Sequence, residues 1–211
     1  MSEILRGYLQ GCPVLPVLTF DSIDTAVPVA RALVAGGLRM LEVTLRTPVS
    51  MQAVERIARD VPEAVVGVGS VIEPGQFASA QGAGARFAVS PGATHALHGA
   101  AAASGMPWMP GVQTVSEILE LRALGYRLLK VFPAASIGGV PFLKSVAGPV
   151  TDMIFCPTGG ITAQTAPQYL ALANVACVGG SWLTPDAPLT ERRWAVITQL
   201  AREACALRTA N

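Results

Sequence analysis

The sequence predicts an α/β protein in which eight parallel strands and their helices close into a (β/α)8 barrel, one domain over residues 1–211. Two observations carry this expectation. Short β-rich apolar runs recur roughly every 20 to 30 residues, with helical patterns between them. Only 14% of residues are charged while 51% are hydrophobic, which fits strands covered on both faces. An open doubly wound sheet is the alternative, but no GxGxxG follows the first run.

The runs are PVLPVL (13–18), RMLEVTL (39–45), AVVGVG (64–69), RFAVS (86–90), PWMPG (107–111), RLLKVF (127–132), DMIFCP (152–157) and VACVGG (175–180). Between them lie amphipathic stretches at 24–37, 49–60, 114–125 and 162–173, and a helix over about 188–208 closes the chain. Strand, crossover and parallel strand repeat without a linker, low-complexity tract or short sequence repeat.

Charge and cysteine content narrow the function. A net charge of +1 without long runs of either sign argues against nucleic-acid or anionic-membrane partners. The start MSEILRGYLQG lacks a signal peptide's basic and apolar regions, and no apolar run is long enough to span a bilayer. Cys12, Cys156, Cys177 and Cys205 are widely spaced, as buried, reduced thiols of a cytoplasmic protein would be. His95 and His98 stand at i and i+3 on an expected helix; without further ligands they read as exposed helix residues, not a metal site. Trp182 and Trp194 read as core or interface residues.

In a barrel of this kind chemistry gathers at the C-terminal ends of the strands. Lys130 stands inside RLLKVF, in a chain whose only other lysine is Lys144. The plain reading is a lysine that snorkels to solvent. The chemical one is that an amine withdrawn from water is favoured in its neutral form, which forms imines with carbonyls. Glu42 inside RMLEVTL is either paired with Arg39 or Arg46, or a general acid/base in an apolar setting. The glycine pairs of PTGGI (157–161) and GGSW (179–182) end the last two strands, where backbone N–H groups, a helix start and the Ser181 hydroxyl can hold a phosphate.

Seven blocks in order, LEVTLRT (41–47), VGVGSV (66–71), SPG (90–92), PGV (110–112), KVFPA (130–134), CPTGGI (156–161) and VGGSWL (178–183), closely resemble the KDPG/KHG aldolase family along almost the whole chain. The resemblance implies a class I aldolase that needs no cofactor or metal and is usually a homotrimer. Its reaction is cleavage of 2-dehydro-3-deoxy-6-phosphogluconate (KDPG), a step of Entner–Doudoroff carbohydrate metabolism, to pyruvate and glyceraldehyde 3-phosphate. Activity on 4-hydroxy-2-oxoglutarate (KHG) is implied beside it. By motif, Lys130 is the Schiff-base residue and Glu42 the proton shuttle. Arg46 and the Ser70 hydroxyl would hold the substrate carboxylate, with Pro91, Phe132 and Thr158 lining the pocket. Gly159, Gly160, Gly180 and Ser181 would hold the phosphate. Ser70 replaces a common threonine of the family and Val131 a frequent phenylalanine; Val131 should point away from the pocket.

Overall fold

The structure, a computed structural model, describes residues 2–207. Helix α1 (Ser2–Leu9) precedes strand β1 (Val14–Leu18). The chain then alternates: α2 (Ile23–Ala35), β2 (Met40–Thr44), α3 (Ser50–Asp60), β3 (Val65–Gly69), α4 (Gly75–Gly82), β4 (Ala88–Val89) and α5 (His95–Ser104). Two short strands, β5 (Trp108–Met109) and β6 (Gly111–Val112), lead to α6 (Val115–Ala123), β7 (Leu128–Val131) and α7 (Gly139–Ala147). Strand β8 (Ile154–Pro157), α8 (Ala166–Leu170), β9 (Val178–Gly180), α9 (Asp186–Thr190) and α10 (Trp194–Ala206) complete it.

The strands are parallel and form a curled six-stranded sheet, β5-β4-β3-β2-β1-β9, and a three-stranded sheet, β6-β7-β8. Among the described residues nine strands therefore stand where the sequence predicts eight. The expected run at 107–111 is divided at Pro110, which has no N–H to give a ladder. Its carbonyl still accepts from Lys130 N at 2.9 Å.

Local chemistry starts the helices in the expected places. Ser22 caps α2 and Thr94 caps α5; Thr114 and Glu117 form a reciprocal capping box on α6. Gly36 at the end of α2 abuts α10, where an added Cβ would meet the Thr198 carbonyl at 2.7 Å. Three helical readings need correction. Helix α1 was not expected. The stretch at 162–173 is helical only over Ala166–Leu170, because Thr162 and Thr165 first close a side-chain-linked turn. The final helix breaks between α9 and α10, where Arg192 takes a left-handed φ of 53°; its expected last residue, Arg208, lies outside the described residues.

Apolar residues of both strand faces and of the helices' inner sides form one contiguous buried cluster, as parallel sheets require. Among the described residues, no helix is long and apolar enough to cross a membrane.

Candidate active site

The alternation of side chains along a strand decides what meets at the strand ends. Glu42 and Thr44 project from one face of β2, whereas Arg39 has the opposite parity and lies exposed. The Glu42 carboxylate therefore cannot look to Arg39, and its cation is Lys130 of β7, 88 positions away, with Nζ 3.2 Å from Oε1. The two side chains are 6% and 1% exposed, so the pair is desolvated. Glu42 Oε2 is also buried and has no hydrogen-bond partner among the described residues. Lys130 Nζ lies 5.4 Å from the centroid of the Phe132 ring, a contact between ammonium and π face.

A second pair stands at the ends of β2 and β3. Arg46 Nε donates to Ser70 Oγ at 3.1 Å, and Arg46 is otherwise exposed. Ser70 adopts a left-handed φ of 58°, uncommon for a residue with a Cβ. The backbone thus accepts strain where the hydroxyl meets the guanidinium.

The remaining sequence-predicted residues fall into linked groups. Thr158 is buried and bridges to Gly179; an added Cβ on Gly179 would meet Thr158 Oγ1 and lie 2.7 Å from Cγ2. Gly159 and Gly160 both have positive φ, 100° and 73°, conformations that suit glycine. A Cβ on Gly159 would come within 3.3 Å of the Phe132 ring. Gly180 is buried against Trp182, and Ser181 is exposed beside it. Pro91 is half-buried, its carbonyl packed on Gly111, whose register partner is Lys130. Lys130, Glu42 and Phe132 are thus joined directly, Pro91 through Gly111, and Arg46 with Ser70 forms a pair of its own. Among the described residues, no side-chain hydrogen bond ties Ser181 to the others.

Sequence reasoning missed three contributors. Gly69 leaves room for Glu42: a Cβ there would lie 2.6 Å from Glu42 Cγ and 2.7 Å from Cδ. Glycine inside the strand pattern VGVG was the available signal. Val17, half-buried, is the register partner of Glu42 on β1 and shares its face. Thr19 Oγ1 lies 2.8 Å from Thr44 Oγ1, which donates to the Leu18 carbonyl at 3.1 Å.

Elsewhere, Lys144 is exposed on α7. Cys12, Cys156 and Cys177 are buried thiols, with Cys177 Sγ 3.3 Å from Cys156 Sγ, and Cys205 is half-buried. Trp182 and Trp194 are partly buried against the core. His95 is exposed, but His98 is not: its ring is half-buried, with Nδ1 3.0 Å from Tyr126 Oη. Both line a cavity of about 420 Å³ with Thr94, Glu117 and Leu121, apart from the residues above. Burial pushes the Tyr126 hydroxyl's pKa up. Among the described residues no group of three or more His, Cys, Asp or Glu could hold a metal ion.

A parallel α/β frame with a desolvated amine and carboxylate paired inside its strands fits a class of enzymes that act on carbonyl compounds. The comparisons narrow that class. A family model described as "Aldolase: KDPG and KHG aldolase" matches residues 5–200. The 2-dehydro-3-deoxy-phosphogluconate aldolase of Dickeya dadantii is 49% identical over 96% of this chain and 95% of its own. The KHG/KDPG aldolase of Escherichia coli K12 is 49% identical over 94% and 93%. Among solved structures, the KDPG aldolase of Legionella pneumophila, with pyruvate captured as a covalent carbinolamine, superposes with a TM-score of 0.90 at 46% identity, covering 93% of this chain and 96% of that one. The chain belongs to the KDPG/KHG aldolase family.

Proposed function

We propose that the protein cleaves 2-dehydro-3-deoxy-6-phosphogluconate to pyruvate and glyceraldehyde 3-phosphate through an imine on Lys130, and acts on 4-hydroxy-2-oxoglutarate as well. The observation that carries this reading is the buried Lys130–Glu42 pair, 3.2 Å from Nζ to Oε1. The names of the Dickeya and Escherichia relatives, and the pyruvate carbinolamine of the Legionella structure, support it.

The geometry supplies each proton. Glu42 Oε1 is within hydrogen-bond reach of Nζ, so it takes the proton that leaves the amine as Nζ attacks the C2 ketone. The alkoxide so formed takes a second proton from the nitrogen and becomes the carbinolamine hydroxyl; Glu42 returns the first proton to that hydroxyl, which departs as water and leaves an iminium. The iminium draws electrons from the C3–C4 bond. Glu42, again a carboxylate, accepts the C4 hydroxyl proton as that bond breaks and the aldehyde leaves. Glu42 then gives that proton to C3 of the enamine, which forms the pyruvate iminium opposite a regenerated carboxylate, and water hydrolyses it to pyruvate and the free lysine. Arg46, steered by Ser70, holds the 2-oxo acid carboxylate. Pro91, Phe132 and Thr158 line the pocket around the pyruvate portion, and Gly159, Gly160, Gly180 and Ser181 hold the phosphate.

This reading takes the two sheets as one closed eight-stranded barrel. Parallel bridges Phe155↔Val175 and Thr158↔Gly179 join β8 to β9, and only Pro110 separates β5 from β6. It also takes the chain as one domain around its contiguous core, working in the cytoplasm as a homotrimer. The exposed apolar side chains Val115, Leu119 and Leu124 on α6 and its end offer surface for association.

Borohydride reduction with pyruvate, followed by peptide mass mapping, tests the central step. An adduct on Lys130 is expected; no adduct, or one confined to Lys144, overturns the assignment. Comparing kcat/KM for the substrate, its C4 epimer and 4-hydroxy-2-oxoglutarate then fixes the specificity.

A further inference from the structure

We propose that Trp108 is a positioning residue for the reaction: its indole N–H, through the Ser90 hydroxyl, clasps the turn that carries Pro91 and so sets the wall beside Lys130. Trp108 is 1% exposed and Ser90 is fully buried. Trp108 Nε1 donates to Ser90 Oγ at 3.0 Å, and Ser90 Oγ donates to the Gly92 carbonyl at 2.6 Å. The direction of both bonds is fixed by chemistry. An indole can only donate, so the single hydroxyl proton of Ser90 is free for Gly92, and the hydroxyl spans Pro91 from one side to the other.

The turn is held from the opposite side as well. Ser90 N donates to the Met109 carbonyl at 3.3 Å. Gly111 has no side chain where the turn presses on it; a Cβ there would meet the Pro91 carbonyl and lie 2.6 Å from the Ser90 carbonyl oxygen. Gly111 is the register partner of Lys130. A path of direct contacts therefore runs from Trp108 through Ser90 and Pro91 to the strand pair that carries the amine. Trp108 itself is fixed by edge-on contacts with Phe77 (centroids 5.8 Å apart) and Tyr126 (5.6 Å).

The proposal rests on Pro91 lining the pyruvate pocket, and the experiment separates the two. Trp108→Phe, Ser90→Ala, the double variant, Pro91→Ala and Phe77→Leu are compared with the natural protein. The readouts are Tm, kcat and KM for cleavage, and the pyruvate concentration that gives half-maximal borohydride trapping on Lys130. Trp108→Phe and Ser90→Ala should each raise KM and the half-trapping concentration about fivefold, the factor an ordinary net hydrogen bond is worth. The double variant should stay within twofold of Ser90→Ala, because both remove one clasp. Phe77→Leu, which loosens packing but leaves the bonds, should lower Tm without moving either constant. A Trp108→Phe protein with both constants within twofold of the natural one overturns the proposal, as does Phe77→Leu moving them equally. If Pro91→Ala shifts the constants in that case, the pocket reading stands alone; if it does not, both fall. Should Trp108→Phe fail to fold, Ser90→Ala decides by the same two constants.

Discussion

Gly69→Ala tests the claim that the Glu42 carboxylate acts from one fixed position. The added methyl would lie 2.6 Å from Glu42 Cγ and 2.7 Å from Cδ, with Oε1 closer still, whereas ordinary contact begins at 3.4 Å. The side chain must therefore retreat by roughly 0.8 Å at Cγ, measured against that contact limit. A displacement near 1 Å at a reacting group costs about 10²-fold in rate, or about 2.7 kcal/mol of barrier. Overpacking of about 1–3 kcal/mol should lower Tm by about 2–4 °C for each kcal/mol in a protein of this size. The assay couples pyruvate release to NADH oxidation, alongside borohydride trapping of added pyruvate. Cleavage should fall about a hundredfold while Lys130 can still be trapped at saturating pyruvate, because the amine's own strand is untouched. A Gly69→Ala enzyme that folds and keeps kcat within threefold of the natural protein would refute the reasoning.

Three other perturbations bear on the same frame. Lys130→Met abolishes trapping and leaves Glu42 a buried charge without its cation, so unfolding should be easier by about 3–5 kcal/mol; adding Glu42→Gln should recover most of that loss in a denaturant titration. Ser70→Gly relieves a left-handed φ of 58° but removes the acceptor of Arg46, so Tm should hold or rise while KM rises about fivefold. Arg122, through a 2.7 Å hydrogen bond, holds the Asp152 carboxyl below the usual carboxylate range, with Arg127 at 3.2 Å assisting. A depressed folded-state pKa gives stability present above the unfolded value, about 3.9, and lost as pH falls through the folded value. The Tm gap between the natural protein and Asp152→Asn should therefore be steady near neutrality and close below about pH 4. A gap that widens in acid would contradict the pairing.

The sequence displayed its strands because a parallel strand, buried on both faces, is an unbroken apolar run, and those runs are where β1 to β9 lie. For the same reason Lys130 and Glu42 stood out singly. Their partnership did not, because 88 positions separate them and only the tertiary fold brings β2 and β7, strands of different sheets, together; charge proximity along the chain pointed to Arg39 and Arg46 instead. Pattern also fails where one residue decides. Pro110 divides a strand, and Arg192 turns the chain between two helices that look like one. Trp108 is one apolar residue of the run PWMPG in the sequence; only the fold shows its N–H aimed at Ser90.

Charge conservation explains why this oily site tolerates an amine at all. A lone ammonium or carboxylate at such burial would cost several kcal/mol, but the two together are neutral and share a hydrogen bond. In the proposed reaction the balance holds at the steps that matter. When the amine attacks, its proton passes to Glu42, so both charges vanish together. When water leaves, the iminium restores a cation on Nζ opposite a regenerated carboxylate. In the same proposal the anionic ends of the substrate fall to other groups, the carboxylate to Arg46 near the surface and the phosphate to backbone N–H donors of the glycine turns. Glu42 Oε2, buried without a partner among the described residues, then has a use as the acceptor for the C4 hydroxyl. An aspartate at position 42 would keep the charge and lose the reach. Glu42→Asp should therefore retain more stability than Lys130→Met while losing cleavage nearly as far as Glu42→Gln, about 10²–10⁴-fold. Stability falling as far as in Lys130→Met would show that the pair's geometry, and not its neutrality, holds the site together.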